Sequence, residues 1–208
     1  MARLQRLSRI SNDRKVIAAI KRGEVVILPL EHSYVYACDA FSFAAVNRLH
    51  QLRNDPPGIA AQVIVGKVAT LGGLAQGISP EVKGLAEGFW PGLLTLNLPQ
   101  NQSLSWDLGD GGNLTNFVVR MPDQLATLEV INATGPLAIA SATLAGAAPQ
   151  TKFENSHQLE ALDVGELSAG PLSTVVSLTG ENLAVTRVGA VTLEALRKVA
   201  PTIELANQ

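Results

Sequence analysis

Cysteine, aromatic side chains and charge are all scarce in this chain. Cys38 is the only cysteine among the 208 residues. No internal disulfide can form, and a cysteine-built metal site has no ligands to draw on. A reducing cytoplasm suits such a sequence. Cys38 sits beside Tyr36, Ala37 and Ala40, so it reads as a buried structural thiol and not as a nucleophile. Aromatics supply only 4% of residues, so Val, Leu, Ile and Ala must fill the core. Hydrophobic residues make up 47% and charged ones 16%, which fits a compact globular protein. No apolar run is long enough to cross a membrane, because Gly, Pro or polar residues interrupt each one. The front of the chain lacks the apolar stretch of a signal peptide. P-loop, GxGxxG, HExxH and GxSxG patterns are absent. His32, His50 and His157 lie far apart, which argues against a zinc site. His50 falls off the apolar stripe of its helix and reads as a surface residue.

The charge that is present is unevenly spread. Formal net charge is -2, yet Arg3, Arg6, Arg9, Arg14, Lys15, Lys21 and Arg22 crowd the front, opposed only by Asp13. Such a front end suits a solvated first helix with a frayed leader, or an arm drawn to phosphate backbones or anionic lipid.

Helical and strand patterns alternate along the chain. Asn12 or Asp13 caps a helix with Val16, Ile17 and Ile20 on one face, ended by Gly23. The apolar run Val25–Leu30 predicts a buried strand, with Tyr34–Cys38 as its neighbour. Ser42 caps a helix striped by Val46, Leu49 and Leu52, and Asn54–Gly58 must be a loop. Ser79-Pro80-Glu81 starts another helix. Further strands are expected over Ile59–Val65, Leu93–Leu98, Phe117–Met121, Leu137–Ser141, Ser173–Leu178 and Ala184–Thr186. Gln124–Ile131 and the segment from Thr192 to Val199 read as helices. The fold class is therefore α/β or mixed α+β. One domain over residues 1–208 is the economical reading, with 1–11 as a basic leader and 201–208 as a C-terminal tail.

Polar residues gather at the predicted strand ends: Glu31, His32, Ser33, Tyr34, Arg53, Arg120, Ser141, Thr143, Ser173, Thr174 and Arg187. Ligands of α/β sheets bind where loops leave strand ends. Arginine forks suit phosphate oxygens, and hydroxyls add donors. If these residues converge, they suit a polyphosphate; if not, each arginine is a surface ion pair.

Taken in order, six segments resemble the YrdC family of threonylcarbamoyl-AMP synthases. They are Pro29-Leu30-Glu31-His32-Ser33-Tyr34, Trp90-Pro91-Gly92-Leu93-Leu94-Thr95, Arg120-Met121-Pro122, Ser141-Ala142-Thr143-Leu144-Ala145-Gly146, Ser173-Thr174-Val175-Val176 and Arg187-Val188-Gly189. They resemble the family's PTET, WPGPLT, RVP, SAN-x-SG, STVVD and R-x-G segments over about residues 12–192. The resemblance implies a twisted open sheet with flanking helices around a large central cavity. It implies a nucleotidyltransferase that joins ATP, threonine and bicarbonate, with Mg2+ assisting, for tRNA threonylcarbamoyladenosine modification. It assigns Arg53, Arg120, Ser141, Thr143, Ser173, Thr174 and Arg187 to ATP and its phosphates, and Glu31, His32, Tyr34 and Gln62 to the amino acid. His32 and Arg53 are the expected catalytic pair, with no protein metal ligand assigned. TRNA-modification proteins or RNA are the implied partners. Double-stranded RNA binding by an inactive paralogue, and a carbamoyl-handling accessory role, are the alternatives. Departures cluster in the pocket: Arg53 and Asp55 stand at the K-x-R positions, Leu30 and His32 replace threonines, and Gln62 replaces a histidine. Thr143 replaces the SAN asparagine, Ser177 replaces the STVVD aspartate, and Val35 stands where glycine is usual. Asp55 is expected to repel phosphate if it points into the cleft.

Overall fold

The computed structural model describes residues 13–179 and 182–206. The basic leader expected at 1–11 lies outside them. Residues 13–21 form the first helix, α1, which bends off at Gly23 with φ 79°. Two antiparallel strands follow, β1 (Val26–Pro29) and β2 (Tyr34–Asp39). Both read as unbroken apolar runs because both faces of the sheet are covered here. Helix α2 (Phe43–Arg53) starts where Ser42 Oγ accepts from Ala45 N, and it buries Ala45, Val46, Leu49 and Leu52.

Strand β3 (Gln62–Ile64) is shorter than the apolar pattern predicts. A 3-10 turn, Val68–Thr70, and a four-residue helix α3 (Leu71–Leu74) come next, neither of them anticipated. Helix α4 (Pro80–Phe89) carries its Ser79 cap and Glu81 in the first turn. Then come β4 (Leu94–Pro99), β5 (Asn116–Arg120), α5 (Leu125–Thr134) and β6 (Leu137–Ser141). Strands β7 (Thr174–Thr179) and β8 (Asn182–Arg187), helix α6 (Leu193–Arg197) and strand β9 (Glu204–Leu205) complete the described elements. The predicted tail thus holds a strand, which pairs in parallel with β8.

All nine strands join one mixed sheet in the order β1-β2-β6-β3-β5-β4-β7-β8-β9. Pairs β3–β5, β4–β7 and β8–β9 are parallel. Alternate residues of each strand serve opposite faces. Val35, Ala37, Leu137 and Ile139 meet α1 and α5 on one side. Tyr34, Tyr36, Cys38, Leu94, Leu96 and Val119 meet α2 and α4 on the other. Cys38 is wholly buried, and burial pushes its thiol pKa up to about 12.

The connection from β6 to β7, residues 142–173, has almost no regular structure but is pinned at several points. Gln150 O accepts from Tyr34 N, and Thr151 O accepts from Leu167 N. Glu160 and Leu162 bond Ile27 on the outer edge of β1. The connection therefore returns Ser173 to the strand ends it left at Ser141.

Candidate active site

A cleft of about 260 Å3 lies at these strand ends. Glu31 and His32 enter from the β1–β2 turn, Gln62 from β3 and Arg120 from β5. Ser141 comes from the end of β6, Ser173 from the approach to β7, and Arg187 from the end of β8. Seven residues from six separate stretches of the sequence thus converge. Leu30 and Val35 form part of the apolar wall.

Two polar systems line the cleft. In the first, Arg120 grips Glu31 through both forks, Nη1 to Oε1 at 2.7 Å and Nη2 to Oε2 at 2.9 Å. Asp123 N donates to the same carboxylate at 2.8 Å. Burial alone would raise the Glu31 carboxyl, but the Arg120 bonds and charge and the Asp123 N–H hold it below the usual carboxylate range. In the second, Gln62 Nε2 donates to Thr95 Oγ1 at 3.5 Å and Thr95 donates to Ser173 Oγ at 2.8 Å. Arg187 Nη2 donates to Ser173 Oγ at 2.9 Å, and its Nε donates to Ser173 O at 3.1 Å. Thr95 was not singled out as a site residue from the sequence, although it ends the Trp90–Thr95 motif.

His32 stands between a carbonyl and the cleft. Its Nδ1 lies 2.9 Å from Ser168 O. A carbonyl only accepts, so Nδ1 carries the proton and neutral His32 keeps its lone pair on Nε2. A side chain at Gly170 would collide with the ring, so the glycine lets the 142–173 connection pass close beside it.

Four other predicted residues lie outside the lining of the cleft. Tyr34 is wholly buried; its hydroxyl donates to Gly165 O at 2.7 Å and accepts from Val164 N at 3.0 Å. Thr174 is also wholly buried, donating to Val191 O and accepting from Gly189 N and Val191 N. Both hydroxyls hold backbone turns in place. The Thr143 side-chain oxygen is buried with no partner among the described residues.

Arg53 supports the turn that carries Ser141 and Thr143. Its Nη1 donates to Ser141 O and to Thr143 O, and its backbone O accepts from Ala145 N at 2.8 Å. Its Nε donates to Asp55 Oδ2 at 2.9 Å. Asp55 does not line the cleft, so the condition under which it would repel phosphate is not met. Its side chain is 4% exposed and also meets His50 Nδ1 at 2.9 Å. His50 is correspondingly no surface residue: its side chain is 13% exposed, with Nε2 at 2.8 Å from Leu108 O. Burial raises the Asp55 carboxyl, but hydrogen bonds and charge from Arg53 and His50 outweigh this and lower it. Asp55 lines a separate depression of about 750 Å3 with Asp107 and Asp110.

Comparison with known proteins follows this geometry. The family described as Telomere recombination, Sua5_yciO_yrdC, matches residues 18–189. A putative threonylcarbamoyl-AMP synthase of Mycobacterium tuberculosis is 33% identical over 189 residues, covering 88% of this chain and 86% of that one. The threonylcarbamoyl-AMP synthase of Bacillus subtilis is 30% identical over 206 residues, covering 94% of this chain but 59% of its own length. Among solved structures, Pyrococcus abyssi Sua5 complexed with L-threonine superposes with TM-score 0.83 at 30% identity, covering 93% of this chain and 58% of that one. The chain belongs to the Sua5/YciO/YrdC family.

Proposed function

We propose that this chain is a threonylcarbamoyl-AMP synthase, which makes the activated carbamoyl donor for tRNA threonylcarbamoyladenosine. The convergence of Glu31, His32, Gln62, Arg120, Ser141, Ser173 and Arg187 in one cleft carries this reading. Family membership and relatives named for the same reaction support it. The longer relatives of B. subtilis and P. abyssi extend well beyond the matched region, so the chemistry is assigned to the part that this chain spans.

The reaction needs two bond-forming steps. The threonine amine attacks the carbon of bicarbonate; a carbamate forms and water leaves. A carbamate oxygen then attacks the α-phosphorus of ATP, the bond to the bridging oxygen breaks, and pyrophosphate leaves. We assign uptake of the amine proton to His32, which lines the cleft and keeps its Nε2 lone pair when Nδ1 donates to Ser168 O. Arg187 stabilises phosphoryl charge together with the Ser173 hydroxyl that its Nη2 bonds, and Ser141 lines the same cleft. Glu31 and Gln62 face the amino acid. Arg120 acts with Glu31 as a fixed ion pair, holding the carboxylate as an acceptor for an ammonium or hydroxyl. Arg53 acts at one remove by holding the 141–143 turn.

Magnesium, if bound with ATP, would supply charge neutralisation of the phosphates that Arg187 faces. Among the described residues no three His, Cys, Asp or Glu side chains gather as a cage for it. The cleft lies just below the usual range of about 300–1,000 Å3 for small-molecule pockets. ATP and threonine together must therefore extend beyond it. No helix among the described residues is long and apolar enough to cross a membrane. A cytoplasmic location is part of the same proposal.

The test is pyrophosphate release from ATP, magnesium, threonine and bicarbonate. Release that needs both threonine and bicarbonate supports the assignment. No release, with no ATP-induced melting shift, defeats it.

A further inference from the structure

Thr95, at the second position of β4, is only 1% exposed. It does not line the cleft, yet its hydroxyl joins two residues that do, Gln62 and Ser173. We infer that Thr95 is a positioning residue: it fixes the direction in which Ser173 presents its hydroxyl proton to an anionic oxygen of the substrate. The inference deepens the synthase reading and rests on it.

A serine hydroxyl has one proton and two acceptor lone pairs. Ser173 Oγ accepts once from Thr95 and once from Arg187 Nη2. Both acceptor positions are filled, so only the O–H remains, and Ser173 faces the cleft. The direction is set on both sides. A guanidinium can only donate, so Arg187 never takes the serine proton. Thr95 accepts a hydrogen bond from Gln62 Nε2 and donates its own O–H to Ser173 Oγ. The row ends as a donor, and each bond polarises the next. A terminus of this kind selects carboxylate or phosphoryl oxygen over a neutral donor.

Thr95 is suited to the task for two local reasons. It is β-branched on a strand, which restricts its χ1 and hence the aim of its hydroxyl. Its register opposite Val175 in the parallel β4–β7 pair puts it beside the chain that carries Ser173. Burial keeps water from competing for the hydroxyl.

The experiment compares wild type, Thr95→Val, Thr95→Ser, Ser173→Ala and the Thr95→Val/Ser173→Ala double variant. Pyrophosphate release, inorganic pyrophosphate binding by calorimetry, and melting temperature are measured on each. Thr95→Val keeps the shape and removes the hydroxyl; its kcat/KM should fall on the order of tenfold, and Thr95→Ser should stay within about threefold of wild type. The double variant should fall no further than Ser173→Ala alone, because Thr95 acts through Ser173. Full additivity of the two losses, or a Thr95→Val variant within about twofold of wild type, overturns the inference. So does a Thr95→Ser variant as impaired as Thr95→Val, which would assign the effect to methyl packing. If wild type releases no pyrophosphate, the synthase reading fails, and binding decides the inference separately. Pyrophosphate affinity about tenfold weaker in Thr95→Val, and restored in Thr95→Ser, upholds it; unchanged affinity overturns it.

Discussion

Replacing Asp55 with Asn should destabilise the protein through Arg53 without exposing a phosphate site. The carboxylate is nearly buried and accepts from Arg53 Nε and from His50 Nδ1, each at 2.9 Å. Asn keeps the shape but gives up the charge that both partners face. Hydrogen bonds to charged groups contribute about 1.5–3 kcal/mol each. Arg53 keeps its bonds to Ser141 O and Thr143 O, so the lower end applies, about 2 kcal/mol for the substitution. In a domain of this size about 1 kcal/mol shifts Tm by roughly 2–4 °C, so a drop of about 4–8 °C is expected. Thermal melts of wild type, Asp55→Asn, Arg53→Met and the double variant read it, and the cycle should return a coupling of about 1–2 kcal/mol. The pH dependence has a definite sign. The folded carboxyl is held below its unfolded value of about 3.9, so its stabilisation is complete above that value and is lost as pH falls through the lower folded pKa. The gap between wild type and Asp55→Asn must therefore narrow in acid. An unchanged Tm, or an Asp55→Asn variant that binds ATP more tightly at unchanged stability, would refute the reasoning and place the carboxylate against phosphate.

Three further outcomes follow from the same contacts. Tyr34→Phe leaves the Gly165 carbonyl and the Val164 N–H without their partner and should cost about 1–3 kcal/mol in denaturant melts, with KM for ATP and threonine unchanged. Glu31 shares the lowered pKa of Asp55, so Glu31→Gln should cost stability at neutral pH and progressively less as pH falls through the folded pKa, read by urea melts across a pH series. Cys38 should resist iodoacetamide in the native protein at pH 8 and react on unfolding, because burial holds its thiol protonated; mass spectrometry of the alkylated chain checks this.

Most strands were legible because buried strands announce themselves as apolar runs. Strand β6 matches its predicted span, Leu137–Ser141, residue for residue. The caps Ser42, Ser79 and Thr192 were equally plain, since each side-chain oxygen accepts from an N–H three residues on. Strand β9 was not legible. Glu204 and Leu205 have no periodicity of their own and are a strand only because β8 lies beside them. The candidate site was legible as a set of types and not as a set of directions. Glu31 and Tyr34 are three residues apart, yet one lines the cleft and the other holds the 163–165 turn. Thr174 follows Ser173 directly and turns its hydroxyl to the backbone at 189–191 instead. Glu31 and Ser173 lie in the turns just outside β2 and β7, whereas Tyr34 and Thr174 are the first residues of those strands, and a sequence does not say where the turn gives way to the strand. Which way Asp55 points was not legible, because His50 and Arg53 meet it only after α2 ends in the left-handed turn at Asn54, φ 55°.

On this reading the converged strand-end cleft performs the adenylation. The direct measurement is mass spectrometry of the nucleotide products formed from ATP, magnesium, threonine and bicarbonate by wild type and by Arg187→Ala. Wild type should form threonylcarbamoyl-AMP, with about a 100-fold loss or more when Arg187 is removed. Absence of the adenylate from wild type, or its undiminished formation by Arg187→Ala, would contradict it.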